Sequence, residues 1–149
     1  MEWTAYLSGE IHTDWRQEIK KECKNLDLSI EFTEPITNHE LSDKCGAKIL
    51  GKESNKFWHD HKSAKLNSIR IKSAIEQADI VIIRFGEKYK QWNTAFDAGY
   101  AAALSKPIIL IHQDEHQHAL KEIGVVALAV TKNINEVVKI LQYVIKGKV

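Results

Sequence analysis

Proline occurs twice and glycine seven times in the 149 residues. So small a supply of chain breakers excludes a collagen-like repeat and a flexible linker between domains. Two cysteines, Cys23 and Cys45, are too few for a disulfide-stapled scaffold, and their separation is not that of a zinc motif. They are expected to be reduced thiols. No apolar run approaches the ~18 residues that span a bilayer. Met1-Glu2-Trp3-Thr4 has no basic stretch leading into an apolar one. A secretory signal is therefore not expected, and the location reads as cytoplasmic. An excess of one charge is missing too: 21 Lys plus Arg face 20 Asp plus Glu, a formal net charge of +1. That balance supplies no global attraction, so neither a nucleic acid polymer nor a membrane is expected as a partner.

What is present suits one globular unit. Hydrophobic residues make up 44% of the chain, enough for a core, and a single domain over residues 1–149 is expected. Strand-like and helix-like apolar patterns alternate. Trp3 to Leu7 is short, rich in strand formers and halted by Ser8-Gly9. Residues 14–26 carry Trp15, Ile19, Cys23 and Leu26 at helical spacing. Leu28 to Thr33 alternates as a strand and stops at Pro35. Residues 36–61 are polar and irregular, as in a functional segment or one holding short helices of its own. A helical pattern returns over 62–77.

Asp79 to Ile83 and Pro107 to Ile111 are β-branched runs of the kind buried on both faces of a parallel sheet. Between them, residues 94–105 read as a helix with Ala95, Ala98, Gly99 and Ala102 on one face. A short helix over 115–123, a fifth strand from Val125 to Val130 and an amphipathic helix from Asn133 to Lys146 complete the chain. Five strands alternating with helices predict a three-layer α/β sandwich with a parallel sheet in the flavodoxin-like order 2-1-3-4-5. Ligands of such sheets bind beyond the carboxyl ends of the strands, where the order reverses. That is the end of the first and third strands.

Two loops should meet there. One is Ser8-Gly9-Glu10-Ile11-His12. The other runs from Arg84-Phe85-Gly86 through Lys88 and Gln91-Trp92-Asn93 into a helix bearing Asp97. A single glycine in the first loop excludes a Walker loop and a dinucleotide fingerprint. Thr94-Ala95-Phe96-Asp97 fits a capping box. In that position the helix dipole would keep Asp97 ionised at neutral pH, suited to act as a nucleophile.

At this point the chain resembles a family. Tyr6-Leu7-Ser8-Gly9, Ala78-Asp79-Ile80-Val81-Ile82 and the segment Asn93 to Ile109 are similar to motifs of the nucleoside 2-deoxyribosyltransferases. Arg84-Phe85-Gly86, Tyr89 and Gln91-Trp92-Asn93 resemble the YtoQ family among them. The resemblance implies a nucleoside deoxyribosyltransferase-like fold, a nucleoside or nucleotide ligand, and oligomers in which neighbouring subunits help close the site. It also implies a double displacement: a carboxylate attacks the anomeric carbon, the base leaves, and a second base or water takes the sugar. Asp97 falls where the family has its nucleophilic glutamate and is one methylene shorter. Gln91 replaces a family aspartate and cannot exchange a proton. Asn93 replaces a glycine.

The remaining roles follow from that frame. Tyr6 either packs beside the crevice or lends its hydroxyl to the nucleophile. Glu10 is either the missing acid, a ligand for a sugar hydroxyl, or a solvated loop carboxylate. Ser8, Gly9, His12, Arg84, Phe85, Gly86, Lys88, Gln91, Trp92 and Asn93 are the expected substrate contacts. Trp15 and Trp92 offer faces for stacking on a base, but large aromatics also serve as core or subunit contacts. A phosphate, if the ligand has one, is expected on Arg84 or Lys88, with Arg70 weighed beside them. The run Lys62, Lys65, Arg70, Lys72 reads mainly as a solvated helix face. His59-Asp60-His61 and His116-Gln117-His118 lack zinc-motif spacing, so no metal and no cofactor is expected. Three functions stay open: an N-glycosidic-bond enzyme, transferring or hydrolysing through Asp97; a non-catalytic nucleoside- or nucleotide-binding module; and an oligomerising scaffold.

Overall fold

The computed structural model describes all of residues 1–149. Its elements are β1 (Trp3–Gly9), α1 (Trp15–Asn25), β2 (Ile30–Thr33), α2 (His39–Leu50), α3 (Lys56–Gln77), β3 (Ile80–Arg84), α4 (Trp92–Ala103), β4 (Ile108–Ile111), α5 (Lys121–Val126), β5 (Ala129–Thr131) and α6 (Ile134–Lys146). The five strands form one sheet in the order β2-β1-β3-β4-β5. Every pairing is parallel, with Tyr6 opposite Thr33 on one side and Val81 on the other. The sheet and its order are those the apolar runs predict.

Alternation along the strands sends side chains to two separate cores. On one face Ala5, Leu7, Ile80, Ile82, Ile109 and Ile111 pack against Trp15, Ile19 and Cys23 of α1 and Val137, Val138 and Leu141 of α6. On the other, Tyr6, Val81, Ile83, Ile108 and Leu110 pack against Ile75 of α3 and Ala98 and Ala101 of α4. The helix after β1 and the helix after β3 therefore cover opposite faces. Trp15 is fully a core residue, and its indole Nε1 donates to Glu10 O at 2.9 Å.

Three elements bear on the sequence reading. First, residues 36–61 do hold helices, as one of their two readings has it: α2 and the first turns of α3, which form a hairpin. Gly46 lets the two helices touch: a Cβ there would stand 2.4 Å from Ser63 N. Gly46 N–H donates to Ser63 Oγ (3.1 Å) and Ser63 Oγ donates to Asp43 O (2.6 Å). The helices pair through polar and small residues, so no apolar stripe announces α2. Second, Val125 and Val126 end a helix rather than begin a strand, and β5 shrinks to three residues. Third, the small-residue face of α4 buries Ala98 and Ala101, whereas Gly99 looks outward with nothing near its Cβ position.

The end of β1 is tightly fixed. Gly9 has φ +141, and a Cβ there would lie 2.2 Å from Arg84 O on β3. Beyond it, Arg16 donates to the carbonyls of Leu7 (3.2 Å), Gly9 (3.0 Å) and Glu10 (2.8 Å). These carbonyls lie where the sheet ladder runs out, and a buried guanidinium takes its place. Gly9→Ala combines left-handed backbone strain with a backbone clash, and should lower stability by about 2–4 kcal/mol. Urea unfolding measures this; an unchanged midpoint would show that β1 and β3 do not approach this closely.

Candidate active site

A cavity of about 700 Å³ opens at the carboxyl end of β1, on the face covered by α3 and α4. Its floor is Tyr6, Ser8 and Asp97, with Asn93 and Phe96 on the α4 side. The opposite wall is the β2–α2 loop from Thr33 to Thr37, with His39, Ser42 and Asp43 of α2. α3 supplies the long side, including Asn67, Arg70, Ser73 and Gln77.

Asp97 is the only acid on the floor. It is 6% exposed, and Ser8 Oγ–H donates to its Oδ2 at 2.6 Å. The two residues come from positions 89 apart in sequence. β1 delivers Ser8 and α4 delivers Asp97 because both pack on the same end of the sheet. Burial raises the Asp97 carboxyl to about 6, against the smaller lowering effect of the Ser8 hydrogen bond. No capping box forms: α4 begins at Trp92, so Asp97 sits in the second turn. The carboxylate is still mostly ionised at neutral pH, but in spite of its surroundings rather than through the helix dipole.

Tyr6 is a fully buried lining residue of the cavity, and its hydroxyl has no protein partner. Burial pushes its ionisation upward, the Asp97 charge pushes it further, and Arg16 and Arg70 oppose both. The phenol therefore stays protonated as a donor. An unpartnered buried hydroxyl costs about 1–3 kcal/mol unless a ligand or water meets it.

The structure brings Tyr6, Ser8, Gly9, Asn93 and Asp97 together at the cavity. It does not bring the rest of the β3–α4 loop there. Gln91 Oε1 accepts from Gly86 N–H at 3.0 Å, and its amide donates to Tyr89 O, so the loop closes on itself. Trp92 points to solvent, 77% exposed. Lys88 lies near the Tyr89 ring, which packs on His12 at 4.7 Å between centroids. Phe85 is buried against the sheet.

Glu10 is buried but faces its own loop. It accepts from the backbone N–H of His12 (2.7 Å) and Thr13 (3.0 Å) and from the Thr13 hydroxyl, and its Oε1 lies 3.2 Å from Arg84 Nε. Gly86 packs on its methylenes. Burial pushes Glu10 upward, but the Thr13 hydroxyl, the two backbone donors and Arg84 outweigh it and hold the carboxyl below its usual range. A carboxylate so held is a poor proton donor. The same contact pairs the Arg84 charge with Glu10, although its Nε makes no hydrogen bond. The wall from β2, α2 and α3 was not foreseen, although Arg70 stood out as a cation. No group of three or more His, Cys, Asp or Glu side chains gathers in a metal-binding arrangement.

A parallel sandwich with a buried carboxylate at its switch point defines a class, and sequence comparison makes the class specific. The chain belongs to the family described as nucleoside 2-deoxyribosyltransferase YtoQ, which matches residues 6–145. It is 45% identical over 143 residues to the uncharacterized protein YtoQ of Bacillus subtilis (strain 168), covering 96% of this chain and 97% of that one. Among solved structures, it resembles a 2-deoxyribosyltransferase of Bacillus psychrosaccharolyticus with a TM-score of 0.55 at 18% identity, over 91% of this chain and 90% of that one. A conserved protein from Enterococcus faecalis V583 superposes with a TM-score of 0.65 at 14% identity, over 95% and 98% of the two chains. At such identities these two structures speak for the fold. No helix is long and apolar enough to cross a membrane.

The raised Asp97 carboxyl has a consequence for stability. The folded chain holds this proton more tightly than the unfolded one. Its contribution is fully present below the unfolded value of ~4 and is lost as pH rises through about 6. Asp97→Asn removes the buried charge and keeps an acceptor for Ser8. Relative to wild type, the variant should gain on the order of 2 kcal/mol between pH 4 and pH 7. Paired urea titrations at the two pH values check this, and a difference independent of pH would contradict the burial of the charge.

Proposed function

We propose that this single-domain protein acts on the N-glycosidic bond of a nucleoside or nucleotide, with Asp97 as nucleophile. The observation that carries the reading is the buried Ser8–Asp97 pair on the floor of a cavity with room for a whole nucleoside or nucleotide. Family membership supports it. An Asp97 carboxylate oxygen bonds to the anomeric carbon, the carbon–nitrogen bond breaks, and its electron pair leaves with the base. Water, or a second base, then attacks the same carbon and frees Asp97. Ser8 holds one carboxylate oxygen of Asp97, which leaves the other for the sugar, and Tyr6 lines the same cavity. Asn93 offers an amide at the α4 end of the cavity. The two free cysteines accord with a cytoplasmic setting.

One observation favours the non-catalytic alternative. Gln91, at the position of a family aspartate, is consumed in closing its own loop and brings no proton to the cavity. A nucleoside-binding module would keep the crevice and need no such group.

We also propose that the chain is a homo-oligomer joined through α4. Trp92, Phe96, Gly99 and Ala103 fall at helical spacing and lie exposed together, Trp92 at 77% and Phe96 at 60%. Trp92→Glu should halve the mass, or more, seen by sedimentation; a monomeric wild type would end this part of the reading.

The catalytic reading is tested by incubating the protein with nucleosides and nucleotides and separating free base by chromatography. Asp97→Asn should lower base release by at least about a thousandfold. In wild type the rate should fall about tenfold per pH unit below the Asp97 value of about 6, where the nucleophile becomes protonated. A 2-fluoro sugar analogue should leave a sugar mass on Asp97. Binding without base release would establish the module instead, and full turnover by the folded Asn variant would remove Asp97 from the chemistry.

A further inference from the structure

The chain has three arginines. Arg16 is bound to three backbone carbonyls at the end of β1, and Arg84 is paired with Glu10. Arg70 has no hydrogen-bond or ion-pair partner in the protein, and it lines the same cavity as Asp97. The carboxylates on the β2–α2 wall do not engage it: Glu34 is bound by Lys20 at 2.6 Å, and Asp43 lies 3.7 Å from His39. Lys72, the other cation lining the cavity, lies over the Tyr100 ring at 5.7 Å.

Arg70 belongs to a row. Asn67, Arg70, Ser73, Ala74 and Gln77 stand three and four residues apart on α3 and all line the cavity. Ser73 Oγ accepts from Gln77 Nε2 at 3.1 Å, which leaves its own hydroxyl proton free to donate. Tyr6, which lines the same cavity, has a buried hydroxyl without a protein partner. Arg70 is near enough for its charge to act on that phenol, yet it forms no ion pair with Asp97. The cavity therefore has an unpaired cation on its α3 side and a buried carboxylate on its floor.

We propose that Arg70, with the Ser73 hydroxyl, is the seat of a phosphate monoester, so that the ligand of this crevice is a nucleoside 5′-monophosphate. A planar guanidinium matches the oxygens of a phosphate in a fork, and Ser73 adds a neutral donor beside it. The inference rests on the nucleoside reading of the cavity and specifies its substrate class. It places the phosphate on α3 rather than on the β3–α4 loop, whose Arg84 is already paired.

Calorimetric titration of the full chain with nucleosides and their 5′-monophosphates tests it, at fixed ionic strength. Wild type should bind the best nucleotide roughly 10–100-fold more tightly than its nucleoside, the scale of one charge-assisted contact. Arg70→Gln should erase that difference and leave nucleoside affinity within about twofold, while Arg70→Lys should restore part of it. Lys65→Gln, on the same helix but outside the cavity, should change neither affinity. Inorganic phosphate should compete with the nucleotide in wild type and not in Arg70→Gln.

Equal affinity for nucleoside and nucleotide in wild type would overturn the proposal and leave the nucleoside reading standing. If inorganic phosphate binding depended on Arg70 while nucleotides gained nothing, free phosphate would be the ligand, and the monoester would again be wrong. Equal weakening of both ligands by Arg70→Gln would assign the residue to sugar or base. Silence with every nucleoside and nucleotide would overturn this proposal and the nucleoside reading together.

Discussion

Everything at the candidate site depends on β1 having a parallel neighbour on each side. β2 lies to one side and β3 to the other, so the chain must leave β1 and β3 in opposite directions. α1 then covers one face and α4 the other, and a gap opens at the carboxyl end of β1. The gap exists only if β1 runs flush against β3 to its last residue. Gly9 makes that possible, because any side chain would strike Arg84 O. Arg16 completes the arrangement by taking the carbonyls that the ladder leaves behind. The same strand end that needs a glycine for packing thus presents Ser8 to Asp97.

That geometry carries local costs which the rest of the molecule offsets. The buried Asp97 and the unpartnered Tyr6 hydroxyl both disfavour folding at neutral pH. Ser8 relieves part of the first, and nothing in the protein relieves the second. Two apolar cores, one on each face of the sheet, supply the compensation. Thr94 Oγ1, Arg84 Nε and His116 Nε2 are likewise buried without a hydrogen-bond partner, so the cost is not confined to the cavity, but there an unpartnered group shares its surroundings with a carboxylate that burial raises.

The architecture was legible because strands buried on both faces must be apolar at every position, and Ile80 to Ile83 and Ile108 to Ile111 are. Ser8 was placed at the site by its position at the end of a strand, and Asp97 by its resemblance to a family position, whereas the capping box expected at Asp97 does not form. The α2–α3 wall was not. α2 meets α3 through Gly46, Ser63 and Asn67, while its own Leu41, Ile49 and Leu50 lie exposed, so periodicity finds no core-facing stripe in α2. The β3–α4 loop misled for a different reason. Polar side chains after a strand look the same in sequence whether they await a ligand or bind their own backbone. Gln91 and Glu10 bind backbone. Arg70 shows the converse: a cation within a basic helical run reads as solvated until a cavity is seen beside it.

The two carboxylates of the β1 end show how environment divides labour between similar groups. Hydrogen bonds and Arg84 overcome burial at Glu10 and hold it ionised; at Asp97 burial prevails and raises it. In a carboxylate-pair glycosidase the raised group serves as acid and the lowered one as nucleophile or base, on either side of one bond. Here the lowered group staples a loop outside the cavity and the raised one lies alone on the floor, with the Ser8 hydroxyl rather than a second acid beside it. Tyr6 is no substitute, since burial and the Asp97 charge both strengthen its hold on the proton. On the proposed reaction, bond making is therefore the task of Asp97, and departure of the base draws no proton from a neighbouring carboxylic acid. That separates this crevice from a two-carboxylate mechanism and puts the demand on the ligand: a base stable enough as it leaves, held by a sugar anchored at its far end.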